Sequence, residues 1–465
     1  MSTGRPTIKL GNLLTDIQPG FASGRHNSDG EGIPHFRPMN ISTHGRIERT
    51  VMKYVDPSAG RPEVRLRRGD ILFNNTNSPE LVGKTALFDE DGAPAYSNHM
   101  TRLRVNEARL DPRYAALRLH QAWREGWFAA HCNNHVSQAS IGREVLKTLE
   151  IELPSLEVQR AIVSLNAGIE VCRQSASSHL TAARHSIDRF RRSVLIAACS
   201  GRLTADWREI SPTVTIKLRP LKKRRTRRLE TFDQTTLEEL PESWQWVQLD
   251  NLLPEGGIFD GPFGSNLKTA DYTSSGARVV RLENIGHLKF IGNKQTFVSP
   301  EKYSVLQKHA VFPDDIVFSS FVDQRIRVCV LPDDLDDQAI AKADCFTLRP
   351  IEQIDCRYLA LQLASPHTFT YLASNIHGAT RPRVNTTQLR GVPIRICAIE
   401  EQREIVRRFD NLWAHTDAIE RRIDSTAKAV KQTSQAVLAK AFRGDLSSST
   451  TFNASKTIAN SIVNE

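Results

Sequence analysis

The chain has 465 residues, 40% of them hydrophobic and 25% charged, which is enough for two to four globular domains. No run approaches the roughly 18 consecutive apolar residues of a membrane span, Met1 to Pro6 carry no apolar leader core, and seven scattered cysteines without a C-x-x-C pair argue for reduced thiols. The expectation is a cytoplasmic protein without membrane contact, and a net charge of +10 favours a polyanionic partner.

Residues 1–154 form a mixed, turn-rich domain. Short β-like runs such as Asp70-Ile-Leu-Phe73 and Thr85-Ala-Leu-Phe88 are punctuated by Gly, Pro, Asn and Asp. Asn74-Asn75-Thr76-Asn77-Ser78 follows the first of these runs and offers amides suited to adenine edges. Gly83-Lys84-Thr85 looks like the end of a phosphate loop, but Ser78 stands where the earlier glycine is required. Residues 155–209 contain no proline and predict a first helical spacer. Ile162, Leu165, Ile169, Cys172, Ala176, Leu180, Ala183, Ile187, Phe190 and Val194 make a heptad seam with one stutter. At about 1.5 Å per residue, about 40 residues make a rod on the order of 60 Å.

Residues 210–240 read as a polar linker, with six positive charges in seven residues at Lys222–Arg228. Such a run is a solvated linker or a phosphate contact. Residues 241–396 form a second mixed domain, residues 397–446 a second helical spacer, and residues 447–465 a Ser, Thr and Asn rich tail. The second helix keeps Ile405, Phe409, Leu412, Ile419, Ile423, Val430 and Val437 on one stripe, diluted by His415, Thr416, Thr426 and Thr433.

The two halves are copies. Ile151–Val163 aligns with Ile394–Val406, and Arg192–Leu203 with Gln435–Leu446, both at an offset of 243 residues. In the mixed domains Asp315-Ile-Val-Phe318 repeats Asp70-Ile-Leu-Phe73, and Trp246–Leu253 repeats Thr7–Leu14, at offsets of 245 and 239. Each helix has only one apolar stripe, so the economical arrangement packs one against the other. The predicted fold is α/β (α+β): two mixed domains separated by a long antiparallel two-helix coiled coil, with an internal pseudo-twofold repeat. Two unrelated amphipathic helices, each on its own domain, are the competing arrangement.

Catalytic motifs fail to assemble. There is no Pro-Pro for an adenine-methylase loop, and no acidic residue stands two positions before any lysine to complete a nuclease core with Pro313-Asp314 or Pro332-Asp333. Those pairs read as turns. His131, Cys132 and His135 lack a second ligand pair at zinc-like spacing. The remaining polar loops suit base reading. Ser319 and Ser320 occupy the place of the Asn74 loop in the second half, followed by Gln324, Arg325 and Arg327. His377–Asn385 supplies Arg381, Arg383 and Asn385, matched in the first half by His135–Gln138. Arginine reads guanine bidentately or holds phosphate.

These residues resemble the specificity subunit of type I restriction-modification systems over about residues 7–446. The similarity rests on Pro154–Val163 and its weaker copy Cys397–Val406, Ser200–Glu209, Leu240–Trp244, Gly261–Lys268 and Asn77–Thr85. Cys397-Ala398 departs from the usual proline at the second helix entry. The resemblance implies two target-recognition domains, each reading one half of a bipartite, asymmetric double-stranded DNA sequence, with the helices as a ruler between them. It adds Lys84, Asn266 and Lys268 to the DNA-facing set. It implies two methyltransferase subunits and restriction subunits as partners. S-adenosylmethionine, ATP and Mg would belong to those partners, with no cofactor, metal or catalytic residue on this chain. A self-contained DNA-modifying enzyme with an unrecognised centre, and a structural coiled-coil adaptor, remain as alternatives.

Overall fold

The computed structural model describes residues 6–58, 62–134, 138–211, 215–219, 221, 237–323, 325–374 and 383–445. The basic run Lys222–Arg228, His135, Gln324, Arg381 and the tail from 447 lie outside the described residues. The chain divides into two compact units, residues 1–181 with 424–465, and residues 182–423. Each holds one mixed domain and one end of each of two long helices, Leu156–Cys199 and Ile399–Arg443.

In the first unit an antiparallel sheet orders Leu14–Pro19, Met100–Val105, Asp70–Asn74 and Thr85–Phe88. Its central strand is buried throughout, because both faces are covered. Ile71 and Phe73 point into the core shared with helix Pro112–Arg124, while Leu72 points into a second core with Phe36, Phe88 and Tyr96. That alternation is the period of a strand. The second unit repeats it. Its sheet orders Ile258–Phe259, Cys345–Leu348, Ile316–Ser319 and Val328–Val330. Ile316 and Phe318 face one core and Val317 the other.

Buried aspartates and tyrosines are paired at matching places. Arg104 grips Asp70 through Nε and Nη2 at 2.6 and 3.0 Å, and Arg349 grips Asp315 at 2.6 and 2.7 Å. A bidentate guanidinium–carboxylate pair satisfies two buried lone-pair sites at once. Tyr114 donates to the Glu152 carbonyl (3.0 Å), and Tyr358 to the Arg395 carbonyl (2.9 Å).

The entry to each long helix is held by a glutamine. Gln159 Oε1 accepts from the Asp111 amide (2.8 Å), and its Nε2 donates to the carbonyls of Arg109 and Pro154 (2.9 and 2.8 Å). Gln402 Oε1 accepts from the Asp355 amide (2.9 Å), and its Nε2 donates to Gln353 and Cys397 (3.3 and 2.8 Å). Asp111 and Asp355 are the N-caps of helices Pro112–Arg124 and Cys356–Ala364. Cys397 at the proline position therefore leaves this helix entry intact, since the glutamine takes its carbonyl.

Within each unit the start of one long helix meets the end of the other. Ile162 and Leu165 share a core with Leu438, Ala441 and Phe442 in the first unit. Val194, Leu195, Ala198 and Cys199 share one with Ile405 and Phe409 in the second. Pairing start to end makes the helices antiparallel. The expected seam needs correction at three places. Cys172 is exposed, and Phe190 and Ile419 are 46% and 50% exposed. Arg191 is buried in place of Phe190. Its guanidinium donates to Thr416 Oγ1 (2.9 Å), Glu420 (2.8 Å) and Asp417, and lies over Trp413. A 3.6-residue helix drifts off a strict heptad, and a multiply hydrogen-bonded arginine occupies the vacated seam position.

After Gly201, at φ 77°, the chain turns into a short helix, Ala205–Ile210. The buried Glu401 carboxylate gathers this segment. It accepts from Arg208 Nη1 (2.5 Å), Thr204 Oγ1 (2.8 Å) and Trp244 Nε1 (3.0 Å). The motifs Ser200–Glu209 and Leu240–Trp244 thus serve one carboxylate.

Gln402→Leu leaves the Asp355 amide without its buried acceptor. It is expected to destabilise the second unit by about 1–3 kcal/mol, read as a lower urea midpoint of tryptophan fluorescence with unchanged slope.

Candidate nucleic-acid interface

In both units the central strand ends in a cluster of loops. Asn75 donates its amide N–H to the His99 carbonyl (3.1 Å) and accepts from the Ile141 amide (2.9 Å). Ser320 donates to the Asp344 carbonyl (2.9 Å) and accepts from the Val384 amide (2.9 Å). Asn75 and Ser320 thus occupy the same backbone position. A glycine reaches each cluster at close range. A Cβ on Gly20 would sit 2.2 Å from the Tyr96 carbonyl oxygen, and one on Gly261 would sit 2.3 Å from that of Ala341. Only glycine fits where two backbones approach this closely.

In the first unit Asn75 Nδ2 donates to Thr101 Oγ1 (2.9 Å) and the Asn98 carbonyl (3.3 Å). Thr76–Asn77 pairs with Ala139–Ser140, which pairs with Asn133–Asn134, so a small sheet brings Asn77, exposed Gln138, Asn133 and Asn134 together. Ser78 donates its amide to Asn77 Oδ1 (2.9 Å). Two predicted residues lie underneath. Asn74 is fully buried and donates Nδ2 to the Leu81 carbonyl (3.0 Å). Lys84 is buried, donates to the carbonyls of Pro38 (3.3 Å) and Ile41, and has its pKa lowered by that burial. Both brace the loop from below.

In the second unit Ser319 and Ser320 are fully buried. Ser319 Oγ donates to the Phe321 carbonyl (3.1 Å), and Ser320 Oγ to Asp344 Oδ1 (3.2 Å). Asp344, at φ 74°, also pairs with Arg383, whose guanidinium lies over the Phe321 ring. Asp260 ties in the next loop, accepting from the amides of Gly261 (2.8 Å) and Asp344 (3.0 Å), and burial raises its pKa. Asn266 and Lys268 are exposed on that loop. Arg325 is exposed, 3.9 Å from Asp188. Arg327 is half-buried and donates to the Leu282 carbonyl (3.4 Å). Asn385 is exposed and caps helix Thr386–Arg390, accepting from the Gln388 amide (2.9 Å).

The exposed set is therefore Gln138, Asn266, Lys268, Arg325, Arg383 and Asn385, with Asn75, Asn77 and Ser78 half-buried at the loop surface. Asn133, Asn134, Asp260 and Asp344 escaped the sequence reading. The asparagines carried a polar signal beside Gln138, whereas the aspartates act through backbone geometry that leaves no motif. Among the described residues no group of three or more His, Cys, Asp or Glu is placed to hold a metal ion, and no helix is long and apolar enough to cross a membrane.

The chain thus carries one loop scaffold twice, with different side chains on each copy. The chain belongs to the type I restriction modification DNA specificity domain family, matching it over residues 43–165 and 277–429. It is 27% identical over 303 residues to the Type I restriction enzyme EcoDI specificity subunit of Escherichia coli, covering 64% of this chain and 62% of that subunit's length. It is 25% identical over 410 residues to the EcoBI specificity subunit of Escherichia coli, covering 83% of this chain and 80% of that one. The fold is shared with a chain of a solved type I R-M system complex (TM-score 0.63, 18% identity, 96% of this chain and 99% of that one). It is also shared with the HsdS subunit from Thermoanaerobacter tengcongensis (TM-score 0.52, 20% identity, 96% and 98%).

Lys84 is buried and Lys268 exposed, so their substitutions are expected to differ. Lys84→Met is expected to cost about 1–3 kcal/mol of stability. Lys268→Ala should leave stability within about 0.5 kcal/mol and reduce the salt slope of DNA binding by about 1. Paired urea and salt titrations check both.

Proposed function

We propose that this chain is the DNA-specificity subunit of a type I restriction-modification complex, with no chemistry of its own. It binds a bipartite, asymmetric double-stranded DNA sequence, one half-site to each mixed domain. It directs partner subunits to methylate adenine or to restrict unmodified DNA in the cytoplasm. The observation that carries this reading is a matching loop scaffold bearing unlike side chains. Asn75 and Ser320 both turn their polar groups inward, and around them the first unit exposes the amide of Gln138 where the second exposes the guanidinium of Arg383 beside Asp344. Amides and guanidinium groups read different base edges, so two such domains suit two different half-sites. The net charge of +10 supports phosphate contact. The exposed residues named above, with Asn75, Asn77, Ser78, Gln324, Arg327 and Arg381, are the proposed base and phosphate contacts. Asn74, Lys84, Ser319 and Ser320 are proposed to hold those contacts in place.

The partners are two methyltransferase subunits, which carry S-adenosylmethionine, and restriction subunits, which use ATP and Mg. The long helices set the distance between half-sites. Half-sites about one helical turn of DNA apart lie roughly 34–36 Å from each other on one face.

Host methylome sequencing with and without this gene should show one bipartite N6-methyladenine motif lost in its absence. Unchanged methylation, together with no DNA retained in filter binding with the methyltransferase subunits, would reject the reading. Inserting four residues, about one helical turn, into either long helix should change the spacer length and leave both half-sites unaltered. Altered half-sites would count against the ruler.

A further inference from the structure

The loop Gly261–Lys268 carries a feature that hydrogen-bonded base reading does not use. Phe263 is 60% exposed, and Ser265, Asn266 and Lys268 beside it are exposed as well. A single exposed aromatic residue is ordinary on a protein surface. Here the mounting is what differs. The Phe263 carbonyl accepts from the amides of both Asn266 (2.8 Å) and Leu267 (3.2 Å), which closes a tight turn. Leu267, only 2% exposed, plugs that turn into a core with Val279, Val298 and Ile340. At the near end Gly261 is wedged against the Ala341 and Lys342 backbone, and Asp260 joins the loop to Asp344, hence to Ser320 and Arg383. An apolar ring is thus held out on a braced turn, flanked by an amide and an ammonium, on a loop tied through Asp344 to Arg383.

The corresponding loop of the first unit does the reverse. Phe21, next to the equivalent Gly20, is half-buried with its ring 5.4 Å from that of His35. The large side chains exposed on that loop are Arg25 and His26.

We propose that Phe263 is a wedge that enters a base step of the half-site bound by the second unit, partly unstacking it, while the first unit reads its half-site without one. This rests on the DNA-specificity reading above. Apolar side chains that insert between base steps contribute through stacking and through the cost of deforming the step. Lys268 and Asn266 then anchor the flanking phosphates or base edges. Specificity arises at that step because flexible pyrimidine–purine steps open more cheaply than stiff ones. A pre-braced turn suits the role, since a mobile ring would lose entropy on insertion.

The test uses the full chain with its methyltransferase subunits and duplexes carrying the site found by methylome mapping. 2-Aminopurine replaces one base at a time across both half-sites. The expected result is a fluorescence rise at one step of one half-site, distinct from any rise at the methylated adenine. Phe263→Ala should abolish the first rise, leave the second, and weaken cognate binding by about ten- to a hundredfold, as for loss of one stacked base. Phe263→Trp should restore both signal and affinity. Cognate affinity within twofold of the parent in Phe263→Ala, with an unchanged fluorescence pattern, overturns the wedge while the specificity reading stands. Failure of the parent complex to bind the mapped duplex overturns that reading and the wedge together. A circular dichroism spectrum and urea midpoint matching the parent verify that Phe263→Ala remains folded.

Discussion

The structure depends on how a long helix can be fixed to a domain at a defined angle. A helix offers a domain one stripe of side chains, and apolar contact along a stripe is non-directional. The buried glutamine at the fourth residue of each long helix removes that freedom. Its carbonyl oxygen takes the N-cap amide of a domain helix, and its N–H groups take the carbonyls that frame the helix entry. Three fixed partners determine a direction as well as a contact. Both glutamines are fully buried, so an amide pulled away from these partners would be left unpaired, and the arrangement is costly to distort. Everything further out inherits its orientation from this joint.

Loop variety becomes tolerable once the joint and the sheet are secured. The strand ends, the Asp70–Arg104 and Asp315–Arg349 pairs and the two close-packed glycines depend on backbone geometry and buried charge. None of them constrains what Asn77, Gln138, Lys268 or Arg383 displays. Recognition can therefore diverge between the halves without touching the groups that fold them.

The duplication, the two long helices and the matched positions of the Asn74 and Ser319 loops were legible because each leaves a periodic or repeated pattern. Gln159 and Gln402 were visible as motif letters, but their role was not, since their partners at Asp111 and Asp355 stand 48 and 47 residues away. Burial was harder to read. A lysine after a glycine resembles a phosphate contact, yet Lys84 is consumed by two carbonyls beneath the loop. The heptad pattern chose Phe190 over Arg191 because hydropathy cannot register a guanidinium that meets three acceptors across a seam. Asp344 was silent for a different reason. Its importance lies in a left-handed backbone conformation and a network, and a lone aspartate advertises neither.

Arg191 also limits how the helix pair can err. Apolar seams tolerate sliding, because one leucine replaces another after a turn of about 5.4 Å. A guanidinium that is only 10% exposed does not. Displaced by one turn, it would lose the three-acceptor fit to Thr416, Asp417 and Glu420, and a poorly compensated buried charge is strongly disfavoured. In the second unit the two helices therefore behave as a ratchet with a single stop, indifferent to small bending yet closed to creep along their length.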